Sequence, residues 1–189
     1  MPYYVALLRA VNLGGSSQVR MGELRNRLGE AGFEDVRTLL NSGNVVFRSG
    51  PRSRREFEDR IEREIATHFG QPTACFVRSS AEWKKVISGN PFPQQAAEDP
   101  GRLTALILKE TPAAEAWQRL GAAVTGREVV RGASDHGYIV FPDGQGRSRL
   151  TPDRMERALG VRGTIRNWNT VRKVGSTLTE NPVAGRSRV

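Results

Sequence analysis

The sequence predicts an α+β protein made of two ferredoxin-like (βαββαβ) halves, with antiparallel sheets and helices on one face. Three observations carry this. The opening residues read strand, helix, strand, strand, helix, strand; a segment with three prolines and no periodicity, Asn90 to Gly101, then interrupts the pattern; and the same order returns behind it. The expected organisation is an N-terminal half over 1–89, a linker over 90–101, a second half with a final helix over 102–180, and a tail over 181–189.

Tyr3 to Arg9 is a short apolar run in which Val5, Leu7 and Leu8 leave little polar surface on either face, as in a central strand. After a loop from Asn12 to Ser17, Met21, Leu24, Leu28 and Ala31 recur every three or four residues. This predicts an amphipathic helix closed by Gly32. Val36 to Leu40 and Val45 to Phe47 are β-prone runs joined by Asn41-Ser42-Gly43-Asn44, a hairpin signature. Ser53 and Glu56 form a capping-box pair ahead of a helix whose Phe57, Ile61, Ile65 and Phe69 share one stripe. Gly70 and Pro72 end it, and Thr73 to Val77 supplies a fourth strand. A second capping box, Ser79 and Glu82, opens a short helix that carries Trp83, Val86 and Ile87 and stops at Gly89-Asn90-Pro91.

Beyond the break, Leu103 to Leu108 is a strand and Pro112 opens a helix with Ala113, Trp117 and Leu120 on one side. Glu128 to Arg131 and Tyr138 to Phe141 make a hairpin across Gly132 to Gly137. Thr151-Pro152 is an N-cap followed by a first-turn proline, which starts a helix through Met155 and Leu159. Gly163 to Arg166 is a last short strand, and Trp168, Val171, Val174 and Leu178 define a final helix. The halves repeat in topology, with no repeat visible residue by residue.

An apolar content of 38%, with seven Phe, three Trp and three Tyr, is enough for a core and argues against a disordered chain. No apolar run approaches the roughly 20 residues needed to span a bilayer, and the start lacks the pattern of a signal peptide. Cys75 is the only cysteine, so no intramolecular disulfide can form. These features favour the cytoplasm and no membrane. The net charge is +9 and unevenly placed: Gln145 to Val189 holds ten Arg and Lys against three Asp and Glu, a net +7. A basic end of this kind suits a phosphate-bearing partner, small molecule or nucleic acid. The competing reading is compositional, because arginine outnumbers lysine 25 to 4 throughout the chain.

Three polar loops stand out. Gly14-Gly15 lies between a strand and a helix, where backbone amides and a helix dipole can hold an anion, although a plain turn is the better account of the pair, since glycine's freedom at positive φ explains it without a ligand. It is neither a P-loop nor G-x-G-x-x-G. Arg166-Asn167-Trp168-Asn169-Thr170 opens the final helix and offers a guanidinium, free helix N–H groups and short polar arms. Its structural alternative makes Asn167 or Asn169 a cap, Trp168 a core residue and Arg166 the partner of a carboxylate. Ser42-Gly43-Asn44-Val45-Val46-Phe47 is a faint match to the RNA-recognition-motif strand, better read as a hairpin turn feeding a buried strand. His68, His136 and Cys75 fall in no metal-ligand or nucleophile pattern, and nothing implies a cofactor.

The chain resembles the bacterial family known as domain of unknown function 1697. The likeness rests on Leu7-Leu8-Arg9-Ala10-Val11-Asn12-Leu13-Gly14-Gly15, on Met21-x-x-Leu24 with the Gly32-Phe33 turn, and on Val36-Arg37-Thr38 leading to Ser42-Gly43-Asn44-Val45-Val46-Phe47. It ends with Thr164-x-Arg166-Asn167-Trp168-Asn169-Thr170-Val171. Ala10 stands where the family often has Gly, and Leu13 where it often has Val. The resemblance implies a duplicated ferredoxin-like arrangement and brings no activity, substrate or catalytic residue. Its hallmarks fall on the same three loops, where polar side chains exceed what packing requires. The resulting expectation is one polar pocket between the halves built by Arg9, Asn12, Asn44, Arg166 and Asn169, with Gly14, Gly15, Ser42, Asn167 and Thr170 beside them. Arg9 and Arg166 would contact an anion that the Gly14-Gly15 amides orient. The leading expected function is non-catalytic binding of a phosphate-bearing ligand, either a nucleotide-like small molecule or a nucleic acid. The alternatives are a hydrolase or transferase for a small phosphorylated or acidic substrate, and a structural latch in which Arg9 and Arg166 are buried and fully paired.

Overall fold

The computed structural model describes residues 1–9, 11, 19–40 and 43–179. The first half runs β1 (Tyr3–Leu8), α1 (Met21–Glu30), β2 (Glu34–Leu39), β3 (Asn44–Arg48), α2 (Arg54–Phe69), β4 (Cys75–Ser79) and α3 (Ser80–Ser88). A short helix α4 (Pro93–Glu98) lies in the connection. The second half follows as β5 (Leu103–Leu108), α5 (Ala116–Ala122), β6 (Val129–Gly132), β7 (His136–Val140), α6 (Pro152–Leu159), β8 (Gly163–Asn167) and α7 (Trp168–Thr179). The sheets have the orders β2-β3-β1-β4 and β6-β7-β5-β8, with antiparallel pairing throughout. These are two ferredoxin-like halves.

Local chemistry sets the elements. Ser53 accepts from the Glu56 N–H while the Glu56 carboxylate accepts from the Ser53 N–H, and Ser79 and Glu82 do the same for α3. Gly70 and Gly160 end α2 and α6 in the left-handed conformation. Helix α5 begins later than the expected Pro112: that ring is buried, and a tight turn from the Ala116 N–H to the Ala113 carbonyl comes first. Trp117 of α5 then lies against the β6–β7 hairpin so closely that a Cβ at Gly132 or Gly137 would run into its ring.

Strands β1 and β5 are apolar on both faces because both faces are covered. Tyr4, Ala6 and Leu8 face α1 and α2 with Val45, Phe47, Cys75 and Val77. Leu106 and Leu108 likewise pack with Leu120, Met155 and Leu159. The opposite faces share one central core, in which Val5 and Leu7 from one sheet and Ala105 and Ile107 from the other meet Trp83 and Val86 of α3 and Trp168, Val171 and Val174 of α7. Helix α7 touches strands of both sheets, so the halves share a hydrophobic interior rather than merely adjoining.

The duplication is visible residue by residue in the backbone. Leu8 pairs with Cys75 and Val5 with Arg78; Leu108 pairs with Gly163 and Ala105 with Arg166. The Leu8 N–H donates to the Gly43 carbonyl and the Leu108 N–H to that of Asp135; the Arg9 N–H donates to Ala74 and the Lys109 N–H to Arg162. Arg9 thus corresponds to Lys109, Arg78 to Arg166, and Gly43 to Asp135.

Candidate functional site

The corresponding arginines exchange halves. Arg78, on the edge strand β4, donates to its own Val77 carbonyl at 2.8 Å and crosses to the Leu108 and Asp135 carbonyls at 2.6 and 3.1 Å. Arg166, on the edge strand β8, donates to its own Ile165 carbonyl at 2.9 Å and crosses to the Leu8 and Gly43 carbonyls at 2.7 and 3.3 Å. Both sheets present these edges to the interface, and the guanidinium groups satisfy backbone acceptors there. Arg166 also donates to Asn44 Oδ1 at 2.6 Å and to Thr164 Oγ1 at 2.9 Å. Burial pulls its guanidinium down to about 10, which leaves it charged at neutral pH.

The first tie carries extra charge. Asp135 meets Arg78 at 3.3 Å and Arg54 at 2.5 Å, and Arg54 also pairs with Glu82. The His136 ring stands 3.2 Å from the Asp135 carboxylate and 3.1 Å from the Tyr138 hydroxyl, which donates to the Val86 carbonyl. The hydrogen bond from His136, backed by Arg78 and Arg54, holds the Asp135 carboxyl well below the usual carboxylate range. A depressed carboxyl pKa stabilises the fold at pH values above the ordinary 3.8, and that contribution fades as pH falls below it. Asp135→Asn is therefore expected to lower stability at pH 7 and to flatten the acid limb of a stability–pH curve below about pH 4. Parallel acid limbs in the two proteins would refute this.

Near the second tie a cleft of about 450 Å³ opens between the halves, lined by Leu8, Arg9 and Val11 from the first and by α6, β8 and the start of α7 from the second. The helix lengths differ on this side. Helix α2 runs for 16 residues, and Ile61, Ile65 and Phe69 cover its sheet; α6 stops after 8 at Leu159, where Leu106 and Leu108 are still buried and Ile165 is half-buried.

The charges differ in the same way. In the closed position the Lys109 ammonium gives its three protons to Glu58 at 3.0 Å, Glu62 at 2.7 Å and the Cys75 carbonyl at 2.6 Å. In the open position Arg9 donates from Nη1 to Glu156 at 2.5 Å, while its Nη2 lies 3.7 Å from Asp153, an ion pair too long for a hydrogen bond. The Arg9 and Glu156 side chains are 22% and 23% exposed, so both can meet a solute. Glu156 additionally accepts from the Gly163 N–H at 2.9 Å, which fixes the carboxylate.

Of the residues singled out from sequence, Arg9, Arg166, Asn167 and Thr170 line this cleft. Asn44 sits behind it, fully buried, bonded to Arg166 and to the Leu39 carbonyl. Asn167 caps α7 by accepting from the Thr170 N–H at 2.9 Å. Asn169 is exposed and stands apart from the cleft. Asn12, Gly14, Gly15 and Ser42 lie outside the described residues, as does the tail. Sequence reasoning missed Glu156, Asp153, Arg78 and Lys109. Arg78 was detectable as the one charge closing the apolar run Ala74 to Val77.

The other candidates are structural. Cys75 is fully buried, and desolvation pushes its thiol well up, away from a reactive thiolate. His68 pairs with Glu64 within α2. Among the described residues no group of His, Cys, Asp and Glu could hold a metal ion, and no helix is long and apolar enough to cross a membrane.

Fold and site together define a duplicated ferredoxin-like protein whose two halves enclose a charged-rimmed cleft. The chain belongs to the family described as protein of unknown function (DUF1697), whose model matches residues 1–138. The solved structure of a conserved bacterial protein from Streptococcus pneumoniae is similar over 94% of this chain and 99% of its own, with 24% sequence identity and a TM-score of 0.72. That likeness covers both halves and concerns the fold alone. Comparison with curated proteins returns no match.

Proposed function

We propose that this is a non-catalytic cytoplasmic protein that binds a small phosphate-bearing molecule in the cleft between its halves, with Arg9 as the anion contact. The observation that supports this most is the contrast between Arg9 and its counterpart. Lys109 spends every proton on the protein, whereas Arg9 hydrogen-bonds through Nη1 and keeps further donors in an open cleft. The cleft's size falls within the range of small-molecule sites, roughly 300–1,000 Å³, and its concavity favours such a ligand over a nucleic acid. A single buried cysteine without a disulfide agrees with a reducing compartment.

Thermal unfolding against nucleotides, phosphosugars and short oligonucleotides at two salt concentrations tests the reading. A ligand at a hundredfold excess over its Kd adds about 2.7 kcal/mol of stability. That gain is expected with a small phosphate compound, nearly independent of salt, and lost in Arg9→Ala. Glu156→Gln, which removes the carboxylate competing for Arg9, is expected to strengthen it. A gain that survives Arg9→Ala, or one confined to oligonucleotides at low salt, would overturn the proposal. Asp153 and Glu156 in the same cleft favour one alternative, a hydrolase or transferase with a carboxylate acid/base; release of product from a phosphate ester, abolished in Glu156→Gln, would establish it instead.

A further inference from the structure

We propose that the outer face of α6, with the loops that flank it, is a contact surface for the phosphate backbone of double-stranded DNA, separate from the cleft. Residues 147–162 hold five arginines against two carboxylates. Both carboxylates, Asp153 and Glu156, are drawn to Arg9 of the other half. Arg147, Arg149, Arg154, Arg157 and Arg162 are all exposed, and among the described residues none has a carboxylate within ion-pair distance. None of them lines the cleft. Arg119 of α5 joins the band by donating to the Ala158 carbonyl at 3.0 Å, and Arg154 donates to the Arg149 carbonyl at 3.2 Å. Met155 and Leu159 turn inward, which puts Arg154 and Arg157, three residues apart, on the opposite face of the helix. The corresponding helix of the first half behaves differently. Around α2, Arg52 pairs with Glu56, Arg55 with Asp59 and Arg54 with Glu82 and Asp135, so the uncompensated charge at α6 is a local feature and not only the chain's arginine-rich composition.

The chemistry around the band selects the partner. A row of uncompensated guanidinium groups matches the charges of a duplex, about one per 1.7 Å of helix axis, and each fork can take a phosphate through two parallel hydrogen bonds. Single strands are held by stacking bases on aromatic rings, and a membrane surface is held by inserted apolar side chains. The large apolar side chains exposed among the described residues are Met1, Leu40 and Val129; none is aromatic and none falls within 147–162. An RNA duplex is told from DNA through its 2′-hydroxyls. The two hydroxyl side chains within 147–162 are spent inside the protein: Ser148 donates to Glu128, and Thr151 caps α6 by accepting from the Arg154 N–H. Contacts of this kind meet phosphates and read no bases, so binding is expected to be indifferent to sequence.

Fluorescence anisotropy of a labelled DNA duplex of about 20 base pairs, titrated with the full chain between about 50 and 200 mM salt, tests this. About five phosphate contacts give a slope of about 4.5 for log Kd against log salt, so Kd should weaken by roughly 500-fold across that range. Arg154→Gln combined with Arg157→Gln removes two contacts and should lower the slope by about 2. Arg25→Gln combined with Arg63→Gln takes the same charge from exposed arginines of α1 and α2, on the outer face of the other sheet, and should leave the slope unchanged. Equal weakening by both pairs of substitutions would show that net charge alone attracts the duplex and would overturn the assignment to α6, as would no binding at about 50 mM salt. Tighter binding of a single strand or of an RNA duplex of the same length would overturn the choice of partner. Poly-glutamate displacing the labelled duplex better than unlabelled duplex does would overturn it as well, in favour of an acidic protein. The cleft is read separately by small phosphate compounds and Arg9→Ala, so the two proposals can fail independently.

Discussion

Arg166→Ala is expected to destabilise the protein by about 3–5 kcal/mol, because one buried side chain supplies donors to both halves. The substitution removes the shared donor of the Leu8 and Gly43 carbonyls and of Asn44 Oδ1, and leaves these groups at a site where Arg166 is only 8% exposed. At about 2–4 °C per kcal/mol for a chain of this size, the midpoint should fall by roughly 10 °C. Urea unfolding of wild type and variant measures it, and a loss under about 1 kcal/mol would mean that the central core alone holds the halves together. Arg166→Lys should recover only part of the loss, since an ammonium is a point donor that cannot reach acceptors spread over both halves.

Trp83→Ala is the second large effect, again about 3–5 kcal/mol. Trp83 is completely buried in the core between the sheets, and its indole N–H donates to the Val171 carbonyl of α7 at 3.1 Å. The substitution opens a cavity and strips a helix carbonyl of its partner, and the residue sits where α3 and α7 hold the two sheets together. The same urea series reads the result. Retention of wild-type stability would show that α3 is peripheral to the shared core.

How much of this was legible in the sequence depends on whether side chains or backbone carried the information. Ser53 with Glu56, Ser79 with Glu82, and Thr151-Pro152 announce helix starts through side-chain chemistry that acts within three residues, and each reads correctly. The twofold repeat of topology is legible for the same reason, being a succession of local periodicities. The residue-level repeat is not, because what the halves share is a set of backbone hydrogen bonds. Gly43 and Asp135 accept equivalent N–H groups, yet a glycine and an aspartate have no side-chain likeness. Within the candidate site, Arg9 and Arg166 stand out as charges on strand ends. Glu156 reads as one more solvated helix residue, and only the geometry that brings it 147 residues back to Arg9 gives it a role. From sequence Arg166 reads as a ligand contact; in the structure it ties the halves together, a role that depends on which carbonyls it meets across 158 residues.

That separation has a consequence during synthesis. A ribosome adds about 5–20 residues per second, so the carbonyl of Leu8 emerges roughly 8–30 s before Arg166, its donor from the other half, has been made. The nascent first half must therefore pass that interval with one end of its central strand incompletely bonded and its inner apolar face lacking the helix α7 that will cover it. Chaperones that shield apolar surface on the growing chain would act on this protein at that stage, and a slowed ribosome anywhere between β4 and β8 would prolong the exposure.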